Sequence, residues 1–192
     1  MKLIVKEVLI EFVEKKSRFI GYAKPVNSVK KANDYIDSIK KMHSTATHNV
    51  PVYRVIENGQ EYFKYNDDGE PVGTAAKPMA DIIERREVYN IAMVAVRYFG
   101  GIKLGAGGLI RNYARVSKEL IDASTLIDYV EKIEMILIFD YSKKGIVDKY
   151  IEECKAQILE VSYLEKINVK ILISKDKLNE FKNIQNIQMV EL

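Results

Sequence analysis

The segment from residue 94 to residue 115 contains the densest set of residues that could bind a ligand. Five of the ten glycines lie in a stretch of nine residues inside this segment: Gly100, Gly101, Gly105, Gly107 and Gly108. Glycine lets a backbone approach a ligand closely, and a helix N-terminus offers free N–H groups to an anion. A buried strand, a glycine-rich loop and a helix in succession therefore predict an anion site. The same glycines could equally serve only to shape a tight connection, and their spacing matches no known nucleotide motif.

Four cationic side chains accompany the glycine-rich loop. Arg97 ends the strand, Lys103 lies in the loop, and Arg111 and Arg115 follow on the helix. Residues four apart project from the same side of a helix, so Arg111 and Arg115 should share one exposed face. Such a group suits the phosphates of RNA or of a small phosphorylated ligand. Alternatively, the helix face is merely basic, and Arg97 pairs with Asp68 or Glu70 instead of a ligand.

An acidic turn precedes this segment in the chain. Asp67, Asp68 and Glu70 supply three carboxylates within four residues, which could hold Mg²⁺ or could act as turn residues. We favour the turn, with no tightly bound metal, because no further ligands follow at metal spacing. His48 could act as a general base, but no serine or cysteine near it has the context of a nucleophile. We therefore predict no catalytic residues and no cofactor.

Composition and charge exclude several classes of protein. The chain has 192 residues and a net charge of +3. Its single cysteine, Cys154, excludes an intramolecular disulfide, and two histidines with one cysteine argue against a Cys/His zinc site. No apolar run is long enough for a membrane span, and we expect a soluble cytoplasmic protein that does not bind membranes. The charge is uneven: residues 1–125 hold 20 Lys and Arg against 15 Asp and Glu, including all seven arginines. This imbalance is compatible with a polyanionic partner and also with an ordinary basic surface.

Hydrophobic periodicity predicts the elements of the first 125 residues. They are strands near 3–13 and 17–24, a helix near 28–42, strands at 52–56 and 61–65, a helix near 75–86, a strand at 88–99 and a helix near 107–123. Asn27 or Ser28 can cap the first helix, and Asn58-Gly59 indicates a hairpin between the two middle strands. Pro78 should lie in the first turn of its helix, where a missing N–H is harmless.

The remaining residues, 126–192, follow a different pattern. Residues 130–140 alternate as a strand, Ser142 can cap a helix that carries Cys154 on its apolar face, and residues 157–164 and 167–173 predict a hairpin. A final helix and a strand at 187–190 complete the order β-α-β-β-α-β, which is typical of ferredoxin-like domains. We therefore predict two domains, residues 1–125 and residues 126–192.

Four motifs together resemble the IMPACT family in its bacterial, YigZ-like branch. They are Ser17-Arg18-Phe19-Ile20, then Thr47-His48-Asn49, then the run from Asp67 to Ala75, and finally Arg97-Tyr98-Phe99-Gly100-Gly101 with the glycines and Arg111 after it. The resemblance implies an α+β protein whose N-terminal α/β domain is like domain 2 of ribosomal protein S5. It also implies that the C-terminal ferredoxin-like domain is similar to the last domain of elongation factor G.

The resemblance also bears on function. Bacterial members are suspected of binding nucleic acid or the ribosome, and eukaryotic members regulate translation through an additional domain that this chain is not expected to carry. Val50 replaces a cysteine that commonly follows His-Asn, which argues against thiol chemistry there. We therefore predict a non-enzymatic RNA- or ribosome-binding protein linked to translation. The alternative is an enzyme that acts on a small phosphorylated ligand through the glycine-rich loop and the acidic turn.

Overall fold

The chain has a mixed α/β structure, given by a computed structural model that describes residues 1–182 and 184–192. In this part of the chain, eleven strands form three sheets and are accompanied by five α-helices. The elements are β1 (Lys2–Ile4), β2 (Val8–Glu14), β3 (Ser17–Pro25), α1 (Val29–Met42), β4 (His48–Glu57), β5 (Gln60–Tyr65), α2 (Ala76–Arg85), β6 (Ile91–Tyr98), α3 (Ala106–Asp122), β7 (Leu126–Asp128), β8 (Lys132–Phe139), α4 (Lys144–Glu153), β9 (Gln157–Tyr163), β10 (Ile167–Ser174), α5 (Leu178–Lys182) and β11 (Ile187–Glu191).

The chain divides into two compact units, residues 1–129 and residues 130–192. The first unit is built on a five-stranded antiparallel sheet with the order β2-β3-β6-β4-β5. Its central strand, β6, is buried on both faces, as its nearly continuous apolar sequence predicts. The described helices include none with the length and apolar character that crossing a membrane requires.

Helices cover both faces of the five-stranded sheet. On one face, α1 buries Ala32, Tyr35 and Ile36 against a cluster that includes Val94 and Val96 of β6. On the other face, α2 and α3 pack together over the alternate residues of the same strands. Because successive residues of a strand point to opposite faces, the odd-numbered positions of β6, including position 97, lie on the α2 and α3 side.

Several local signals of the sequence are confirmed. The Ser28 side chain caps α1 by accepting a hydrogen bond from Lys31 N–H at 3.2 Å. Pro78 lies in the first turn of α2, and Asn58-Gly59 connects β4 to β5. The hairpin strand β4 begins at His48, four residues before the predicted start, because it pairs along β6 as far as position 97.

The structure corrects the prediction of a single strand over residues 3–13. These residues form two strands in different sheets, since β2 pairs with β3 while β1 pairs with β7. Strand β7, over residues 126–128, was not predicted, and it lies within the first compact unit. A three-residue strand of this kind depends on a partner that is more than one hundred residues away in the chain, so no local sequence pattern predicts it.

The second unit contains the predicted order β-α-β-β-α-β, from β8 to β11. Its sheet has the order β11-β8-β10-β9, and all neighbouring strands are antiparallel. Val147 and Ile151 of α4 and Phe181 of α5 share one buried cluster with alternate residues of the sheet. Ser142 does not cap α4, contrary to the prediction: the helix begins at Lys144 after a short 3-10 turn and has no side-chain cap.

Candidate functional site

A cavity of about 430 Å³ opens beside the glycine-rich loop in the first unit. Three segments bound it: the start of β4, the acidic turn, and the stretch from the end of β6 to the first turns of α3. Its lining residues are Thr47, His48, Glu70, Pro71, Arg97, Phe99, Lys103, Leu104, Gly105, Ala106 and Leu109. Strands β4 and β6 pair at this point, and their register places His48 of β4 directly opposite Arg97 of β6.

Arg97 is buried and forms an ion pair at the base of the cavity. Only 5% of Arg97 is exposed, and its Nη1 donates to Glu70 Oε1 at 2.6 Å. The Tyr113 hydroxyl, from α3, donates to the same oxygen at 2.7 Å. Burial raises the pKa of Tyr113, and the neighbouring Glu70 carboxylate adds to the shift, so Tyr113 is a stable donor. Of the two partners that the sequence left open for Arg97, the structure selects Glu70 rather than Asp68.

His48 lies beside this ion pair with a defined orientation. Its Nδ1–H donates to the backbone carbonyl of Asp68 at 2.8 Å, and its Nε2 lies 3.7 Å from Glu70 Oε2. A carbonyl can only accept a hydrogen bond, so the proton must be on Nδ1. In the neutral ring, Nε2 is therefore an acceptor for a hydrogen bond from a group in the cavity.

The acidic turn is held by hydrogen bonds to the backbone. Asp67 accepts from three N–H groups: its Oδ2 from Gly73 at 2.7 Å, and its Oδ1 from Ala75 at 3.1 Å and Ala76 at 2.8 Å. This carboxylate therefore caps the N-terminus of α2, which has no other side-chain cap. Asp68 accepts from Asn49 N–H at 2.7 Å through one oxygen, and Lys40 lies 3.0 Å from the other.

These contacts give the acidic turn a structural role. The three carboxylates hold the turn, the helix and Arg97 in place. Within the described residues, no three His, Cys, Asp or Glu side chains form a cluster that could hold a metal ion. The absence of a tightly bound metal remains a prediction.

The glycine-rich loop connects β6 to α3 through close contacts. A Cβ on Gly100 would lie 1.9 Å from the Lys16 carbonyl oxygen, so only glycine fits there. Gly105 precedes α3 with a φ of +73°, a conformation that favours glycine. The first hydrogen bond within α3 is from Leu109 N–H to Gly105, and no side chain caps the helix. The N–H groups of residues 106–108 therefore have no partner inside the helix.

The predicted phosphate-binding cations fall into two groups. Arg97 and Lys103 form the first group and line the cavity, as does Gly105 of the glycine-rich loop. Arg111 is exposed and folds back over the first turn of α3, where its Nη1 would be 3.5 Å from a Cβ on Gly107. Arg115 lies one turn further along; its Nε donates to Glu119 at 2.7 Å, and its guanidinium stacks 3.9 Å from the Phe12 ring centre.

Sequence reasoning missed two residues of this region. Tyr113 is buried on the apolar side of α3 with Leu109 and Val116, and its hydroxyl also reaches Glu70. A tyrosine within an apolar stripe is itself a signal, because a buried hydroxyl needs a partner. Phe99 is 44% exposed at the mouth of the cavity, and the Arg97 guanidinium lies 5.4 Å from its ring centre. The motif quoted from the sequence included Phe99, but no function was attached to it.

Comparisons with known proteins identify the family. The sequence-family model that describes the Impact N-terminal domain matches residues 15–121 of this chain. The IMPACT family member YvyE of Bacillus subtilis is 36% identical over 171 residues, which cover 89% of this chain and 78% of that protein. The IMPACT family member YigZ of Escherichia coli is 29% identical over 168 residues, 87% of this chain and 82% of that protein. The chain belongs to the IMPACT family.

A solved structure supports the same relationship at the level of the fold. A crystal structure described as that of a hypothetical protein matches all of this chain and 96% of its own length, with a TM-score of 0.71 and 25% sequence identity. The match therefore extends through both compact units rather than the family's N-terminal domain alone.

Proposed function

We propose that this protein binds RNA, free or within the ribosome, through the first turn of α3 and the glycine-rich loop, and that it takes part in regulating translation. The observation that carries the proposal is the set of groups around the start of α3. Lys103 and Arg111 are exposed, and neither forms an ion pair within the described residues. The helix N-terminus adds three N–H groups, and Phe99 offers an exposed ring on which a base can stack.

Other features of the chain agree with this proposal. The positive charge and all seven arginines are concentrated in residues 1–125, the part that carries the loop. Phosphate contacts of this kind position an RNA without reading its sequence, so we expect little sequence preference. The link to translation rests on membership of the IMPACT family, not on the geometry of the loop.

The alternative of a metal-using enzyme receives less support. Asp67 and Asp68 have their oxygens engaged by backbone N–H groups and Lys40, so binding a metal would require breaking the cap of α2.

Arg115 contributes less to the proposed RNA surface than Arg111, because its guanidinium is already paired with Glu119 and stacked on Phe12.

The finer description of the fold is also part of the proposal. We infer an S5-domain-2-like α/β domain followed by a ferredoxin-like domain, with the boundary between residues 125 and 130. The sheet order β11-β8-β10-β9, with both helices on one face, supports the second assignment. The helices on both faces of the first sheet are compatible with the first assignment.

A salt titration of RNA affinity tests the RNA-binding proposal. The double variant Lys103→Glu with Arg111→Glu should bind a short single-stranded RNA more weakly. If each cation contacts one phosphate, the slope of log affinity against log salt should fall by about 0.7 for each, or about 1.4 for the pair. Fluorescence anisotropy measures the affinity, and thermal melting confirms that the variant is folded.

A matched control separates the site from the overall charge. Lys132→Glu with Lys166→Glu makes the same change in net charge at exposed positions of the second unit. This variant should keep the wild-type slope, while Arg115→Glu should have a smaller effect than Arg111→Glu. A folded Lys103 and Arg111 double variant with the wild-type affinity and slope would exclude the proposed surface.

A further inference from the structure

The cavity is lined by a largely buried glutamate, Glu70, one of whose carboxylate oxygens has no donor among the described residues. Glu70 Oε1 accepts from both Arg97 and Tyr113, whereas Glu70 Oε2 receives no hydrogen bond within the described residues. The side chain is only 3% exposed, and the residue lines the cavity. His48 Nε2 lies 3.7 Å from Oε2. Oε2 is therefore available to accept a hydrogen bond from a group in the cavity.

His48 cannot supply that donor while its ring is neutral. In that form the single proton lies on Nδ1 and is donated to the carbonyl of Asp68, so Nε2 and Glu70 Oε2, 3.7 Å apart, are both acceptors. An amino group of a ligand has hydrogens for both atoms, and a hydroxyl has one hydrogen for either of them. This end of the cavity therefore favours a ligand group that donates hydrogen bonds.

The opposite end of the cavity has the reverse character, because α3 starts at Ala106, about two turns before Tyr113, whose hydroxyl reaches Glu70. It is formed by Lys103 and by the start of α3 at Gly105 and Ala106, where free N–H groups and the helix dipole favour an anion. Leu104 and Leu109 line the cavity with apolar side chains, and Leu109 lies one helical turn after Gly105 toward Tyr113. A ligand that fits this pattern carries an anionic group at one end and donor groups at the other.

Size and stacking narrow the class of ligand further. A volume of about 430 Å³ lies toward the lower end of the usual range for small-ligand sites. The Phe99 ring at the mouth is 44% exposed and could stack against a planar base. A phosphate, a sugar with hydroxyls and a planar base together make one nucleotide.

We propose that this cavity binds a single phosphorylated nucleotide. Its phosphate lies at Lys103 and the first turn of α3, and its hydroxyl or amino groups donate to His48 Nε2 and Glu70 Oε2. The same chemistry is offered by a free mononucleotide and by the 5′-phosphorylated end of an RNA. The inference rests on the proposed function, because Lys103, Phe99 and the first turn of α3 contribute to both sites.

Calorimetric titration of the full chain with AMP tests the inference, with adenosine as the ligand that lacks a phosphate. AMP should bind and adenosine should bind at least tenfold more weakly. Ala106→Asp places a carboxylate at the exposed first position of α3, where it suits the helix dipole but repels a phosphate. This variant should lose at least tenfold in AMP affinity, and the neutral Ala106→Asn should lose much less, because it adds a side chain of similar size without the charge.

A second variant tests the other end of the cavity. His48→Leu keeps the bulk of the side chain and removes the acceptor, so AMP affinity should fall about tenfold, which corresponds to about 1.4 kcal/mol for the lost hydrogen bond. Melting curves check that the variant is folded. Equal AMP affinity in folded His48→Leu, or equal losses in Ala106→Asp and Ala106→Asn, would overturn the proposed placement of the nucleotide.

Two RNAs of the same sequence, one with a 5′-phosphate and one with a 5′-hydroxyl, distinguish the source of the nucleotide. Tighter binding of the phosphorylated RNA, lost in Ala106→Asp, would identify the RNA end as a ligand. Equal binding of both RNAs, together with AMP binding, would identify the free nucleotide. No AMP binding at about 5 mM, with an RNA affinity that still depends on Lys103 and Arg111, would overturn this inference and leave the RNA-binding function standing.

Discussion

At the scale of single residues, Arg97 connects three parts of the first unit. It projects from β6, pairs with Glu70 of the acidic turn, and shares the Glu70 oxygen with Tyr113 of α3. The pair is nearly excluded from solvent, with side-chain exposures of 6% and 3%. Removing one member of a buried pair leaves an uncompensated charge, which costs far more than losing an exposed pair. Arg97 therefore has a structural role beyond lining the cavity.

We expect Arg97→Ala to lower the free energy of unfolding by about 3–5 kcal/mol, because Glu70 would remain buried without its cation. Arg18→Ala is the matched control, since Arg18 pairs with Glu11 at the surface and its loss should cost less than about 1 kcal/mol. Urea denaturation measures both. Similar losses in the two variants would contradict the structural role of Arg97.

Cys154 gives a residue-scale prediction in the second unit. Burial raises the pKa of its thiol to about 11, and a hydrogen bond to Glu180 adds to the shift. A raised pKa means a smaller thiolate fraction at pH 8, so iodoacetamide should modify the folded protein about a hundredfold more slowly than the urea-unfolded protein. Mass spectrometry follows the reaction. Equal rates would show that the thiol is neither buried nor shifted.

At the scale of elements, the acidic turn and the glycine-rich loop have complementary functions. The turn caps α2 with Asp67 and brings Glu70 to Arg97. The loop leaves the start of α3 uncapped, so its N–H groups are available to a ligand. The N–H groups at the start of α2 are therefore hydrogen-bonded within the protein. Those at the start of α3 remain available at the cavity.

We expect Asp67→Ala to lower the free energy of unfolding by about 2 kcal/mol, because the first turn of α2 would lose its only side-chain cap. Asp81→Ala, on the same helix, is the control; it removes only an exposed pair with Lys77 and should cost about 0.5 kcal/mol or less. Chemical denaturation measures the free energy of unfolding of both variants. An Asp67 variant as stable as the Asp81 variant would exclude capping as the function of this carboxylate.

At the scale of the whole molecule, each compact unit has a core of its own. The second unit buries twelve residues in one cluster, and its four strands pair only with one another within the described residues. The first unit carries the cavity, the glycine-rich loop and the basic excess. This separation suggests that the ligand-binding functions proposed above belong to residues 1–129.

Residues 130–192, expressed alone, should therefore fold and give a cooperative thermal transition. A fragment of residues 157–192 is the negative control, because it lacks β8 and α4 and so loses half of the shared core. Circular dichroism on heating measures both. A fragment of residues 130–192 without a transition would mean that the second unit depends on the first for its stability.

Local patterns in the sequence were sufficient for most elements and for part of the candidate site. Apolar periodicity predicted the central strand β6 and helix α3, and the order of elements in residues 130–191, because each depends on neighbours within a few residues. The spacing of Arg111 and Arg115 predicted one shared helix face for the same reason. The glycine cluster likewise identified the loop that opens α3.

Only the tertiary structure decided what these residues contact. The choice of Glu70 over Asp68 as the partner of Arg97 depends on the register of β4 along β6 and on α3 packing above them. The stacking of Arg115 on Phe12 and the proximity of His48 to Glu70 at the base of the cavity join segments that lie far apart in the chain. Such contacts follow from strand pairing and packing, which no local spacing of residues encodes.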